Sequence, residues 1–166
     1  IVHVTVVTPG GTSATSTASQ FTYTAPGSGT IGGKVTGAGK LSVTSVTAVD
    51  TTATADGTYE NGWVYTFNIT LPTNESNLAM KFSDWTSGSS TMAAANNIRI
   101  SSAQADNAGA TVSVLAANTY TAPDLHMTAD LDPLTAGIQV QVQVEVRVPV
   151  GSANGSYTTS YGVRSQ

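Results

Sequence analysis

The sequence predicts an all-β protein: an antiparallel β-sandwich, immunoglobulin-like or jelly-roll-like, with an N-terminal β-hairpin. Three observations favour this fold class. Apolar residues recur with a period of two, turn signals separate the alternating segments, and only 10% of the residues are charged, against roughly 25% in a typical soluble domain. Ser and Thr replace many of the charged residues, and Thr suits the pleated surface of a strand. A period of two places one face of each strand in a core and the other in water.

The clearest strand covers residues 138–150. Its even-numbered residues from Ile138 to Val148 are all apolar, and Gln, Glu and Arg occupy the positions between them. A shift of the strand by one residue would exchange these two faces, so we expect a well-defined register. A second clear strand, residues 62–71, directs Trp63, Tyr65 and Phe67 towards the core.

Further strands follow from weaker patterns. Residues 125–131 alternate with Leu125, Met127 and Leu131 on the inner face, and residues 157–163 form the last strand. The weakest patterns predict strands over 41–49, 78–83, 97–102 and 111–116. Gly, Pro, Asn, Asp and Ser clusters supply the turns between the strands. The one helical candidate is the short segment 92–96.

The first 40 residues differ from the remainder of the chain. Residues 1–8 and 20–24 are predicted strands joined by a polar loop, and the Gly-rich composition of 26–40 is typical of a linker. We therefore expect a strand pair at 1–25, a linker at 26–40 and the sandwich at 41–166. Two strands alone are marginally stable in water. The pair must therefore join a sheet in a missing N-terminal part, in the main sandwich or in another subunit.

Two segments resemble known families. The TPGGTS turn of residues 8–13 and the FTY strand of residues 21–23 resemble the last two strands of IPT/TIG domains, which are immunoglobulin-like. This resemblance covers residues 1–25 and implies a spacer or adhesion unit of a multi-domain surface or secreted protein, without catalytic residues. Residues 41–166 are similar to an uncharacterised β-rich module of exported bacterial surface proteins, in the phrases FNITLPTNES, MKFSDWTSG, AANNIRI and PVGSANGSYTTSYGVRS.

Composition disfavours several classes of function. The net charge is −4 and Lys and Arg total six, so nucleic acid is not an expected partner. No apolar run approaches the roughly 20 residues that span a bilayer, so membrane insertion is not expected. The chain has no Cys, which removes disulfides and thiol nucleophiles. No signal peptide is recognisable, which favours a mature or truncated chain. We expect an extracellular or cell-surface protein of a prokaryote.

Acidic residues offer the best candidate for a metal site. Asp130 and Asp132 lie on the same side of an extended segment, and Asp124 lies upstream on that face. Calcium takes six to eight oxygen ligands, often from loop carboxylates and carbonyls, so calcium is the cofactor that these residues would bind. No EF-hand pattern is present. The favoured alternative is that these acids cap turns and solvate the surface.

Nothing in the sequence indicates catalysis. His3 and His126 each alternate with apolar neighbours, so both should face away from the core, and no third ligand for zinc accompanies them. No G-x-S-x-G motif positions a serine nucleophile. Aromatic residues make up only 7% of the chain, fewer than the cleft of a glycosidase would require. We therefore expect a protein that is not an enzyme.

Trp85 and three asparagines are candidates for surface roles. Trp85 lies where a predicted strand enters a loop. Core packing is favoured for it, and the alternative is stacking on a sugar or anchoring a subunit contact. Asn68, Asn74 and Asn154 each begin an N-glycosylation acceptor pattern, which is short enough to arise by chance in a chain rich in Thr and Ser.

The predicted function is a non-catalytic extracellular structural or adhesive module. In a filament version, residues 1–25 complete a neighbour's sheet by β-strand addition, through Val2, Val4, Val6, Phe21 and Tyr23. The partners are then other copies of the chain or neighbouring domains of a surface protein. The alternative is a carbohydrate-binding module, with a glycan as partner and calcium in support.

Overall fold

A computed structural model describes residues 2–3, 7–12, 20–21, 39–106 and 111–166. The chain divides into two compact units, residues 1–34 and residues 35–166. The described residues form strands and turns and contain no helix. The predicted all-β class is confirmed, with antiparallel sheets packed as a sandwich in the second unit.

The described residues of the first unit form two short strand pairs. β1 (Val2–His3) pairs antiparallel with β4 (Gln20–Phe21), and Val2 lies opposite Phe21. β2 (Val7–Thr8) pairs with β3 (Gly11–Thr12) around the Pro9-Gly10 turn. The segment predicted as a polar loop therefore begins with a hairpin of its own. Val4, Val6 and Tyr23, which were predicted as contact residues, lie outside the described residues.

The second unit contains the remaining strands. In chain order they are β5 (Ser42–Asp50), β6 (Trp63–Leu71), β7 (Asn77–Phe82), β8 (Trp85–Ser87), β9 (Ser90–Met92), β10 (Ile98–Ser101), β11 (Val112–Ser113), β12 (Leu125–His126), β13 (Ile138–Val146) and β14 (Tyr161–Ser165). One sheet has the order β11-β10-β13-β6-β5 and a second has the order β12-β7-β14, while β8 and β9 form a separate hairpin. Every pairing is antiparallel.

The core lies between the five-stranded and three-stranded sheets. β13 and β6 pair along nine residues, with Val142 opposite Phe67, and the inner face of β13 is buried as its alternation predicts. Leu78, Met80 and Phe82 of β7 pack against this face from the second sheet. Trp63 and Trp85 extend the core towards the β8–β9 hairpin, with ring centroids 5.0 Å apart. Non-directional burial of these side chains is the main contribution to the stability of the sandwich.

Two expectations about secondary structure are wrong. Residues 92–96 do not form a helix, because Met92 ends β9 and the next residues form a turn in which the Asn97 N–H donates to the Ala94 carbonyl. The strand predicted over 125–131 ends at His126. Leu131, expected on the inner face, is 55% exposed.

Neutral polar groups bond across the outer face of the five-stranded sheet. The Asn68 amide donates to the Ser45 hydroxyl at 2.8 Å and accepts from the Gln141 amide at 3.2 Å, which links β5, β6 and β13. The Thr70 hydroxyl donates to the Gln139 side-chain oxygen at 2.7 Å. An ion pair joins β10 to β13 on this face: the Arg99 guanidinium donates two hydrogen bonds to the Glu145 carboxylate, at 2.9 and 3.0 Å.

Candidate functional site

One side of the sandwich is open. β5 is the edge strand of the five-stranded sheet and β14 is the edge strand of the three-stranded sheet. Phe67 of β6 and Tyr161 of β14 meet edge to face with ring centroids 4.9 Å apart, so β14 lies over β6. β5 therefore projects one strand beyond β14, and no strand of the described residues continues the three-stranded sheet over it.

No strand in the described part of the chain covers the inner face of β5. Val46 lies opposite Phe67 and Ala48 opposite Tyr65, and directly opposed residues point to the same face of a sheet. Both β5 residues therefore face the core side. Val46 nevertheless remains 44% exposed, and Ala48 is exposed as well. Val46 and Ala48 therefore form an apolar strip on the open side, on the face of the sheet that carries the core residues.

A cavity of about 230 Å³ lies along this strip. Its lining is mainly apolar and comes from both sheets and the segment before β14. The apolar and aromatic residues that line it include Val46, Tyr65, Phe67, Trp85, Val144 and Tyr161. Burial raises the pKa of Tyr65, so its hydroxyl remains neutral in this setting.

The backbone of β14 directs hydrogen-bonding groups towards the open side. Ser160 accepts a hydrogen bond from the Ser83 N–H, and Gln166 exchanges two hydrogen bonds with Asn77. In an antiparallel ladder, alternate residues bond to the same neighbour. The N–H and C=O groups of the odd-numbered residues 161, 163 and 165 therefore point away from β7, towards the open side.

The opposite side of the sandwich is closed. Ala105 and Met127 form a bridge between the chain following β10 and the end of β12. The Asp106 N–H also donates to the His126 carbonyl at 2.9 Å, and the His126 imidazole lies 2.8 Å from the Asp106 carboxylate. The two sheets are thus joined at one side and separated at the other.

A second cavity, of about 250 Å³, lies at one end of the sandwich. Trp63 and Tyr157 line it together with polar loop residues that include Thr52, Ser152 and Asn154. Trp63 is only 9% exposed, so its ring offers little surface to a ligand.

The structure does not bring the three aspartates of the predicted calcium site together as a cluster. Asp124 accepts two hydrogen bonds from Arg164, at 3.1 and 3.2 Å. Asp130 accepts from the backbone N–H groups of Asp132 and Gln139. Asp132 accepts from the Thr135 hydroxyl at 2.6 Å. Within the part of the chain that the structure describes, no group of three or more His, Cys, Asp or Glu side chains could hold a metal ion.

Trp85 is buried, so the interpretation of this residue as an exposed side chain that stacks on a sugar or anchors a subunit contact at the surface is wrong. Its side chain is 5% exposed and packs against Trp63 and Tyr65, the latter nearly parallel at 6.2 Å. Its indole Nε1 has no hydrogen-bond partner. The favoured core role is therefore correct, because Trp85 begins β8 and its ring belongs to the buried hydrophobic cluster.

The remaining candidates lie in different environments. His126 is exposed, as its alternation predicts, whereas His3 belongs to β1, whose side chains fall outside the description. Asn68 lies within β6 with its amide bonded on both sides, a poor acceptor for a glycan. Asn74 and Asn154 are exposed in turns.

Comparisons with known proteins identify no relative. No family model matches the chain, and neither the curated proteins nor the solved structures give a significant match. Among the described residues, no helix is long and apolar enough to cross a membrane.

The open side was not visible in the sequence. Val46 belongs to a predicted strand and so does Tyr161, but neither pattern indicates that its strand lies at an edge. The missing information is strand order, which depends on pairings between distant parts of the chain. The only local signal is that β5 lacks a clean alternation, and the register shifts between Val43 and Ser45 and between Ala48 and Asp50 reflect this.

Proposed function

We propose that the chain is a non-catalytic structural or adhesive module of the prokaryotic cell surface, assembled by β-strand addition through residues 1–25. The observation that supports this most is the inequality of the sheets: five strands face three, and the excess strand β5 leaves an apolar strip in solvent. Soluble proteins usually protect such edges. An unprotected edge beside an apolar strip is typical of a site for another chain.

The resemblance of residues 1–25 to the final strands of IPT/TIG domains agrees with this proposal. A strand pair of that kind is marginally stable alone, so it gains by joining a sheet. The neutral, Ser- and Thr-rich surface suits an exported protein that works outside the cell.

Assembly provides the test. The full chain should form dimers or longer particles in size-exclusion chromatography with light scattering and in negative-stain electron microscopy, whereas residues 26–166 should remain monomeric. A full-length control with Val2, Val4 and Val6 changed to Ser keeps the chain length and should also remain monomeric. Equal assembly by the truncated chain would refute a role for residues 1–25.

Carbohydrate binding is the second candidate, now supported only by the cavity beside Trp63 and Tyr157, where aromatic and polar residues meet. A glycan array would show binding that is lost in Tyr157→Ala. If no glycan on the array binds, the carbohydrate-binding candidate is wrong and only the structural proposal remains.

A further inference from the structure

We infer that residues 1–8 of a neighbouring copy add to β14 and fill the gap, one strand wide, between β14 and the projecting β5. This inference rests on the proposed function and names the surface that receives the strand. The receiving residues all lie in the unit of residues 35–166.

The width of the gap follows from sheet geometry. Neighbouring strands lie about 4.8 Å apart and packed sheets about 10 Å apart. Because Tyr161 of β14 contacts Phe67 of β6, the next strand position beside β14 lies above β5. One added strand would thus give the three-stranded sheet a fourth member and cover the exposed inner face of β5.

Backbone groups for this pairing are available along β14. Residues 161, 163 and 165 direct their N–H and C=O groups to the open side, and the described part of the chain pairs β14 with β7 alone. Main-chain hydrogen bonds from such an edge supply affinity to an added strand without requiring a particular sequence. Side-chain pockets then select the sequence.

The sequence of residues 1–8 matches that selection. In an extended strand Val2, Val4 and Val6 share one face with Thr8, and the opposite face carries Ile1, His3, Thr5 and Val7. The valine face can cover Val46 and Tyr161 and occupy the cavity of about 230 Å³, while His3 and Thr5 on the opposite face remain in water. The segment has no Asp, Glu, Lys or Arg, so burying it leaves no formal charge unpaired.

A second sandwich cannot occupy the same gap through its own β14 edge. In such a pairing, the β6 of the second copy would lie beneath its β14, at the place that β5 of the first copy already occupies. As far as the structure describes it, the sheet β1–β4 is two strands wide and therefore narrower than the sandwich. β1 can keep β4 on one edge and offer its other edge to β14.

The strand comes from a neighbouring copy rather than from the same chain. Among the described residues, β1 pairs with β4 alone and β14 pairs with β7 alone. Each strand therefore has one edge without a strand partner among these residues, and a second molecule can supply that partner.

Matched substitutions in β5 test the inference on the full chain. Val46→Lys places a charge on the floor of the gap, a common means of blocking strand addition, whereas Val49→Lys changes a valine of the same strand that is 63% exposed and does not line the cavity. In sedimentation-equilibrium measurements, Val46→Lys should weaken association at least tenfold and Val49→Lys less than twofold. Thermal melts of dilute monomer should be similar for the two variants.

A backbone variant gives an independent result. Val163→Pro removes an N–H that points to the open side and leaves the bonds from β14 to β7 in place, so it should weaken association to a similar degree while circular dichroism remains unchanged. Deletion of residues 1–25 could abolish association while Val46→Lys and Val163→Pro leave it unchanged. That result would show that the added strand does not bind between β14 and β5, and the proposed function would stand. If the unmodified chain does not associate, both the proposed function and the inference about the gap are wrong.

Discussion

β5 and β13 lie on either side of β6, are nine residues long and pair with it along most of their length. Their burial is opposite. The inner valines of β13 are almost fully buried, whereas all of β5 except Val43 is exposed. β13 has β10 on its far side and the three-stranded sheet above it, and among the described strands β5 has neither. Burial of a strand in this sandwich is therefore decided by strand order more than by its own residues.

Hydrogen exchange should show the largest difference between these strands. From Gln143 to Val146, β13 lies between two paired strands, and its amides there should exchange only in global unfolding, whereas the solvent-side amides of β5 should exchange by local opening. We expect protection factors in β13 to exceed those of the solvent-side β5 amides by on the order of a thousandfold, measured by NMR at neutral pH. Comparable protection in dilute monomer would mean that β5 is covered in the single chain.

Matched valine truncations should show a smaller difference. Val142→Ala removes two methyl groups from a fully buried site and should lower the free energy of unfolding by about 2 kcal/mol. Val49→Ala makes the same change in β5, at 63% exposure, and should cost less than about 0.5 kcal/mol. Urea denaturation measures both. Similar losses at the two positions would contradict the view that β5 adds little to the core.

The loop that leads from β5 to β6 should show the smallest effect, and only in a limited pH range. The Asn61 amide and then the N–H and hydroxyl of Thr58 hydrogen-bond to Asp56 and lower its pKa. A carboxylate with a lowered folded-state pKa stabilises the fold above its unfolded pKa, about 3.9, and loses this effect as pH falls through the folded value.

Asp56→Ala should therefore reduce the melting temperature by about 2 °C at pH 7. The difference from the unmodified chain should diminish on acidification below about pH 4. Differential scanning calorimetry across this range checks the sign, and Asp50→Ala in the same region is a suitable comparison. A difference that grew in acid would show that Asp56 acts in another way.

Prediction from the sequence succeeded where the pattern is local. The alternation from Ile138 to Val148 specified the inner face of β13, and the spacing of Trp63, Tyr65 and Phe67 did the same for β6. The prediction failed for Leu131. The Asp130 carboxylate accepts hydrogen bonds from the N–H groups of Asp132 and Gln139, and the turn that these bonds stabilise ends the alternation. The open side could not be predicted, because it results from which strands lack neighbours.

The bonded amides and hydroxyls on the outer face of the five-stranded sheet have a consequence for how salt affects the fold. Asn68, Gln141, Ser45 and Thr70 bond across three strands without any ionisable group. Salt screens interactions between charges and has little effect on neutral hydrogen bonds. The hydrogen bonds among β5, β6 and β13 therefore hold equally well in dilute and in concentrated salt, whereas the Arg99–Glu145 ion pair that joins β10 to β13 weakens as salt is added.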